Sequence, residues 1–160
     1  MKITVTLLFI TLLANLFYED IKERKVSVWI LVSGIILGGT LHWLHQNTFV
    51  FLLNIGINIS FIFLIFGTLF LYAKFKLKKN IFDVFGVGDL FLFILLAVSL
   101  PILSFLMVFV FSLIFSLVVF MLLKKRFSEK TVPLAGLQSL FLGLVLIANK
   151  LTNTIDLYAL

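Results

Sequence analysis

The sequence predicts an all-α, polytopic membrane protein of about six transmembrane helices, and three observations predict it. Of its 160 residues, 62% are hydrophobic and only 12% charged, whereas a water-soluble domain keeps roughly a quarter of its residues charged. Mean hydropathy is +1.25. Apolar runs near the length of about 20 residues that a helix needs to cross a bilayer recur along the chain. Backbone in lipid must satisfy its own hydrogen bonds, so these runs read as helices. At this length a single membrane-embedded domain over 1–160 is the natural organisation.

The spans are taken in chain order. The first, roughly 3–18, follows Lys2. No small-residue cleavage pattern comes after it, and the charge behind it outweighs the charge before it, so it reads as a retained span and not a signal peptide. Thr4, Thr11 and Asn15 share a face leading towards Glu19. The second, roughly 27–44, carries Gly34 and Gly38 at GxxxG spacing, with Gly39 beside them. The third, roughly 49–73, places Asn54 and Asn58 one turn apart, near Gly56 and Ser60. One long apolar stretch from Gly86 to Leu123 is divided at "SLP", Ser99 to Pro101, because proline disfavours helix in the residue before it. That division yields spans of roughly 87–100 and 102–123. The sixth, roughly 132–149, puts Ala135, Ser139 and Gly143 on one stripe. Small and polar residues of this kind read first as helix-packing contacts, with the lining of a polar cavity as the alternative.

Charge sets the expected orientation. The first loop, "EDIKERK", holds Lys22, Arg24 and Lys25; the third, "KFKLKKN", holds Lys74, Lys76, Lys78 and Lys79; the fifth, "KKRFSEK", holds Lys124, Lys125, Arg126 and Lys130. Of the thirteen basic residues only Lys2 and Lys150 lie elsewhere. The positive-inside bias then puts loops one, three and five in the cytoplasm and both termini outside. The net charge of +6 thus faces lipid headgroups, and nucleic acid is not an expected partner. Absence of cysteine excludes disulfides, thiolate metal sites and a cysteine nucleophile. His42 and His45 alone are too few for a usual zinc site.

The acids are Glu19, Asp20, Glu23, Asp83, Asp89, Glu129 and Asp156. The topology brings Asp20, ending the first span, and Asp89, opening the fourth, to the same depth on the same face. This is the geometric precondition for a carboxylate pair sharing a proton, because like charges a few ångströms apart do not both ionise cheaply. The ionised member can take a proton from water while the protonated member polarises a peptide carbonyl. Taken singly, Asp89 reads as a helix N-cap and Asp20 as a membrane-flank charge. Asp83 and Glu19 compete with them for the two places.

These residues resemble the type IV prepilin peptidases and their preflagellin-peptidase relatives. "GVGD", Gly86 to Asp89, is similar to the GxGD motif that opens a transmembrane helix after a cytoplasmic loop in that family. "DIKERKVS", Asp20 to Ser27, resembles its other aspartate motif, D-x-x-x-x-x-[IV]-P-N. "VPLAG", Val132 to Gly136, is similar to the proline-containing segment before the last helix, and to the PAL-type element of related GxGD intramembrane proteases. The departures are Phe91 in place of a usual lysine, Ser27 and Val28 in place of Pro-Asn, and Gly136 where many members have a second proline. They mark a divergent member.

The resemblance implies an aspartyl endopeptidase of the inner or plasma membrane, multi-pass, with its active site facing the cytoplasm. It would cleave the short basic leader of pilin-like or pseudopilin-like precursors. Asp20 and Asp89 would be catalytic; Gly86, Gly88 and Pro133 would support the motif. The two glycines would let backbone approach the scissile peptide closely and take unusual dihedrals. Pro133 would start the sixth helix. The mechanism calls for no metal and no cofactor. Long members of the family carry an extra loop with paired cysteines and N-methylate the product; this chain resembles the short, peptidase-only form. The lipid bilayer is its other partner, and a homo-oligomer is left open. Alternatives from other classes are a small ion- or proton-coupled transporter subunit, which calls for acids near mid-membrane, and an inactive pilin-binding scaffold.

Overall fold

The computed structural model describes residues 1–78, 86–123, 132–152 and 157–159. Asp83, Lys79, Glu129, Asp156 and the basic cluster of the fifth loop lie outside the described residues. Among the described residues six α-helices follow one another: α1 (Lys2–Glu23), α2 (Val28–Trp43), α3 (Thr48–Tyr72), α4 (Val87–Ser99), α5 (Ile102–Leu123) and α6 (Leu134–Thr152). The expected spans match these bounds to within a few residues at most ends, and no strand occurs among the described residues. Helices α1, α3, α5 and α6 are long and apolar enough to cross a membrane. Large apolar side chains such as Leu7, Phe63, Leu117 and Met121 are exposed on them, as lipid-facing surfaces require.

The break at Ser99 to Pro101 falls where the sequence puts it. Helix α4 stops at Ser99, Leu100 is extended (φ −132°, ψ 146°), and the Pro101 carbonyl accepts from Phe105 N–H to begin α5. The result is a short central helix. Its 13 residues cover about 20 Å at about 1.5 Å each, against a hydrocarbon core of about 30 Å. Leu92, Phe93, Leu95, Leu96 and Ala97 are all buried.

Helix α2 packs closely on α4 because its glycines allow it. A Cβ at Gly34 would lie 2.5 Å from Leu95, one at Gly39 would lie 2.9 Å from Val98, and one at Gly38 would collide with Ser99. The GxxxG motif is therefore a packing contact. All three residues of the stripe on α6, Ala135, Ser139 and Gly143, are buried, and a Cβ at Gly143 would meet nothing within 4 Å. Thr11 and Asn15 line an open groove of about 340 Å³ between α1 and α2, together with Trp29 and Ser33. Helix α3 ends in a π-helical turn, Ala73–Leu77, where Lys74 and Lys76 sit over the rings of Phe70 and Tyr72.

The C-terminal end of α4 is held by side chains of its neighbours. Asn58 donates to the carbonyls of Ala97 and Leu100, each at 2.9 Å, and His42 bonds the Val98 carbonyl at 2.9 Å. Its N-terminal end carries Asp89.

Candidate active site

Three helix ends converge at the end of the bundle that bears the first loop. The first is the last turn of α1. Asp20 is only 8% exposed, and its Oδ2 accepts the Gly136 N–H at 2.6 Å. Arg24 closes the helix in the left-handed region (φ 53°), and its guanidinium acts electrostatically on the Asp20 carboxylate.

The second is the first turn of α4. Gly86 is the N-cap, with φ −70° and ψ 139°. Its carbonyl accepts from the Asp89 N–H at 3.1 Å. Asp89 is thus the third helical residue and not the cap itself, which corrects the single-residue reading. From that position its carboxylate folds back over Gly86: a Cβ there would lie 3.1 Å from Asp89 Oδ2. The backbone amide of Gly86 acts electrostatically on the same carboxylate, from the place of the acidic arm of a capping box. A side chain at Gly86 would therefore crowd the Asp89 carboxylate, which would have to shift by a few tenths of an ångström. The expected unusual dihedrals are absent, since no described glycine has a positive φ. A Cβ at Gly88 would stand at an ordinary 3.8 Å from Val26, which sets the valine of the first aspartate motif against the second glycine of GVGD.

The third is the start of α6. Pro133 is buried and directly precedes it; its carbonyl accepts from Leu137 N–H at 3.1 Å. The first N–H groups of any helix lack partners within it. Here the N–H of Gly136 bonds Asp20, and the neighbouring Ala135 amide acts electrostatically on the Asp89 carboxylate. Consecutive amides of one helix N-terminus thus face carboxylates from two other helices, where the helix dipole also favours negative charge. The two carboxylates lie within electrostatic reach of each other.

The competing acid Glu19 is committed elsewhere. Its carboxylate accepts the Ser27 N–H at 2.9 Å and the Ser27 hydroxyl at 3.2 Å, at the start of α2. Ser27 and Gly136 are two departures from the family pattern, both where proline is usual. In each case the N–H that proline would lack is given to a carboxylate of α1. Gly136 is also tightly confined: a Cβ there would lie 3.0 Å from Asp20 Oδ2 and 3.3 Å from the Phe17 carbonyl. Sequence reasoning noted Gly136 only as a departure; its role emerges once α6 meets α1. Phe91 packs, half-buried, against the hydrophobic core. Among the described residues no three histidine or acidic side chains gather into a metal-ligand set.

Fold and site together define a polytopic helical membrane protein with a carboxylate pair facing one helix N-terminus. Residues 7–121 match the model of the Type IV leader peptidase family, and the chain belongs to that family. The match spans both aspartates and GVGD and ends before Pro133 and Gly136. No curated protein and no solved structure matches the chain.

Proposed function

We propose that this family member is an aspartyl endopeptidase that removes the short basic leader of pilin-like or pseudopilin-like precursors, with Asp20 and Asp89 as its catalytic pair. The observation that carries this reading is the convergence of the two carboxylates on the consecutive amides of Ala135 and Gly136. The two aspartates share one proton and titrate as a unit. The ionised carboxylate takes a proton from water as the water oxygen attacks the scissile carbonyl carbon. The protonated carboxyl gives its proton to the carbonyl oxygen, forming a tetrahedral diol. Collapse re-forms the carbonyl, breaks the C–N bond and delivers a proton to the departing amine. The products are a leader with a free carboxylate and a mature chain with a free amino terminus.

The substrate's basic leader and apolar helix suit an enzyme whose acids stand at the bundle end that bears the basic loops. Positive-inside bias places that end in the cytoplasm. A proton-coupled transporter calls for acids deep in the span; Asp20 and Asp89 instead belong to the terminal turns of their helices. The chain acts as a peptidase alone, without N-methylation.

The test uses the purified protein in detergent with a synthetic precursor, read by intact mass. Asp20→Asn and Asp89→Asn each retain an oxygen that can accept the backbone N–H, so both variants fold. Each is expected to slow cleavage by about 10²–10⁴-fold. Cleavage at the wild-type rate by either variant removes the dyad.

A further inference from the structure

Gln138 is completely buried, and neither its amide nitrogen nor its amide oxygen has a hydrogen-bond partner. Its polar neighbours on the same helix pair are satisfied locally: Ser139 donates to the Gly136 carbonyl at 2.7 Å, Ser112 to Phe109 and Ser116 to Ser112. Burying an amide without partners costs stability, so the residue has no evident structural use in the resting bundle.

Its place on α6 suggests the use. The Cβ side of Gly136 faces Asp20 and Phe17 of α1. Two residues further on, about 200° around the helix at 3.6 residues per turn, Gln138 is turned away from α1, towards α4 and α5, the other helices packed on α6. It lies one turn beyond Leu134 and Ala135. Helical side chains lean back over the preceding turn, which directs the Gln138 side chain towards the turn whose Ala135 amide acts on Asp89. A carboxamide offers two donors and an acceptor, the complement of a main-chain peptide group.

We propose that Gln138 is a substrate-binding residue of the proposed peptidase: its amide hydrogen-bonds the main chain of the precursor beside the scissile peptide, on the Asp89 side of the pair. The inference rests on the leader-peptidase reading above. In the substrate-free bundle the amide waits unpaired; when the extended leader junction enters between α4 and α6, it gains both partners at once. Binding then satisfies a group that was already desolvated, and part of the specificity for a peptide main chain follows from that.

The experiment measures binding and not turnover. A fluorescent synthetic precursor, with a short lysine/arginine leader followed by an apolar helix, is titrated into the cleavage-blocked Asp89→Asn protein in detergent micelles. The same titration is made with Gln138→Leu and, separately, Gln138→Met on that background, and thermal unfolding is recorded for each. The expected result is at least about tenfold weaker binding with an unfolding temperature equal to or above the parent's, because an unpaired amide has been removed. The Met variant, matched in length, decides the matter if the Leu variant does not fold. Unchanged affinity in a folded variant overturns the role of Gln138 while leaving the dyad untouched. Failure of the Asp89→Asn parent itself to bind the precursor overturns the leader-peptidase reading, and this inference with it.

Discussion

The two ends of helix α4 make an instructive pair. The C-terminal end is buried and held by polar side chains from other helices, whereas the N-terminal end is partly exposed and carries its own carboxylate, Asp89. At the C-terminal end the helix presents free carbonyls, and the neighbours supply neutral donors. Asn58 serves Ala97 and Leu100. The Val98 carbonyl can only accept, so His42 Nδ1 carries the proton there, leaving Nε2 to face the Asn54 amide at 3.4 Å. Outside them Gln46 donates to the Tyr158 carbonyl, Ser104 to the Leu157 carbonyl, and His45 stacks on Tyr158. At the N-terminal end the helix presents N–H groups, and a carboxylate answers. A second carboxylate, Asp20, then shares the start of α6. Helix direction decides which end is neutral and which is acidic. The neutral end consumes its donors in holding the fold; carboxylates keep lone pairs to spare for a water or a substrate.

Substitutions at the two ends should therefore separate activity from stability. The larger effect is expected at Gly136. Gly136→Ala keeps the N–H but places a Cβ 3.0 Å from Asp20 Oδ2 and 3.3 Å from the rigid Phe17 carbonyl. The carboxylate must shift, and a displacement of this order can cost on the order of 10²-fold in rate. Precursor cleavage is expected to fall accordingly, with a smaller change in thermal unfolding. Retention of the wild-type rate would mean that the Gly136–Asp20 contact does not set the geometry of the pair. The smaller effect is expected at Asn58. Asn58→Leu leaves the Ala97 and Leu100 carbonyls without their donor and should cost about 1–2 kcal/mol of stability in detergent. Cleavage per folded molecule should stay within about twofold, since both bonds are at the far end of α4. A selective loss of activity there would join the two ends into one functional unit.

Much of this was legible in the sequence because it depends on properties local to the chain. Apolar run length and the proline at Pro101 delimit the helices. Loop charge brings Asp20 and Asp89 to one end, and the GxxxG spacing of Gly34 and Gly38 marks a packing face. What depends on contacts between helices was not legible. Asp89 reads as a cap until Gly86 is seen to hold that position, and Glu19 rivals Asp20 until Ser27 is seen to occupy it. Gly136 is only a missing proline until its amide meets a carboxylate from more than a hundred residues away. Gln138 gave no signal at all, since a lone glutamine in an apolar helix looks the same whether or not its amide is paired.

The central claim is that Asp20 and Asp89 act as one catalytic unit. A kinetic double-mutant cycle tests it most directly: leader cleavage is measured for wild type, Asp20→Asn, Asp89→Asn and the double variant under single-turnover conditions. Members of one unit are grossly non-additive, so the double variant is expected to be no slower than the slower single variant. Losses that multiply, as those of independent residues do, would contradict the account.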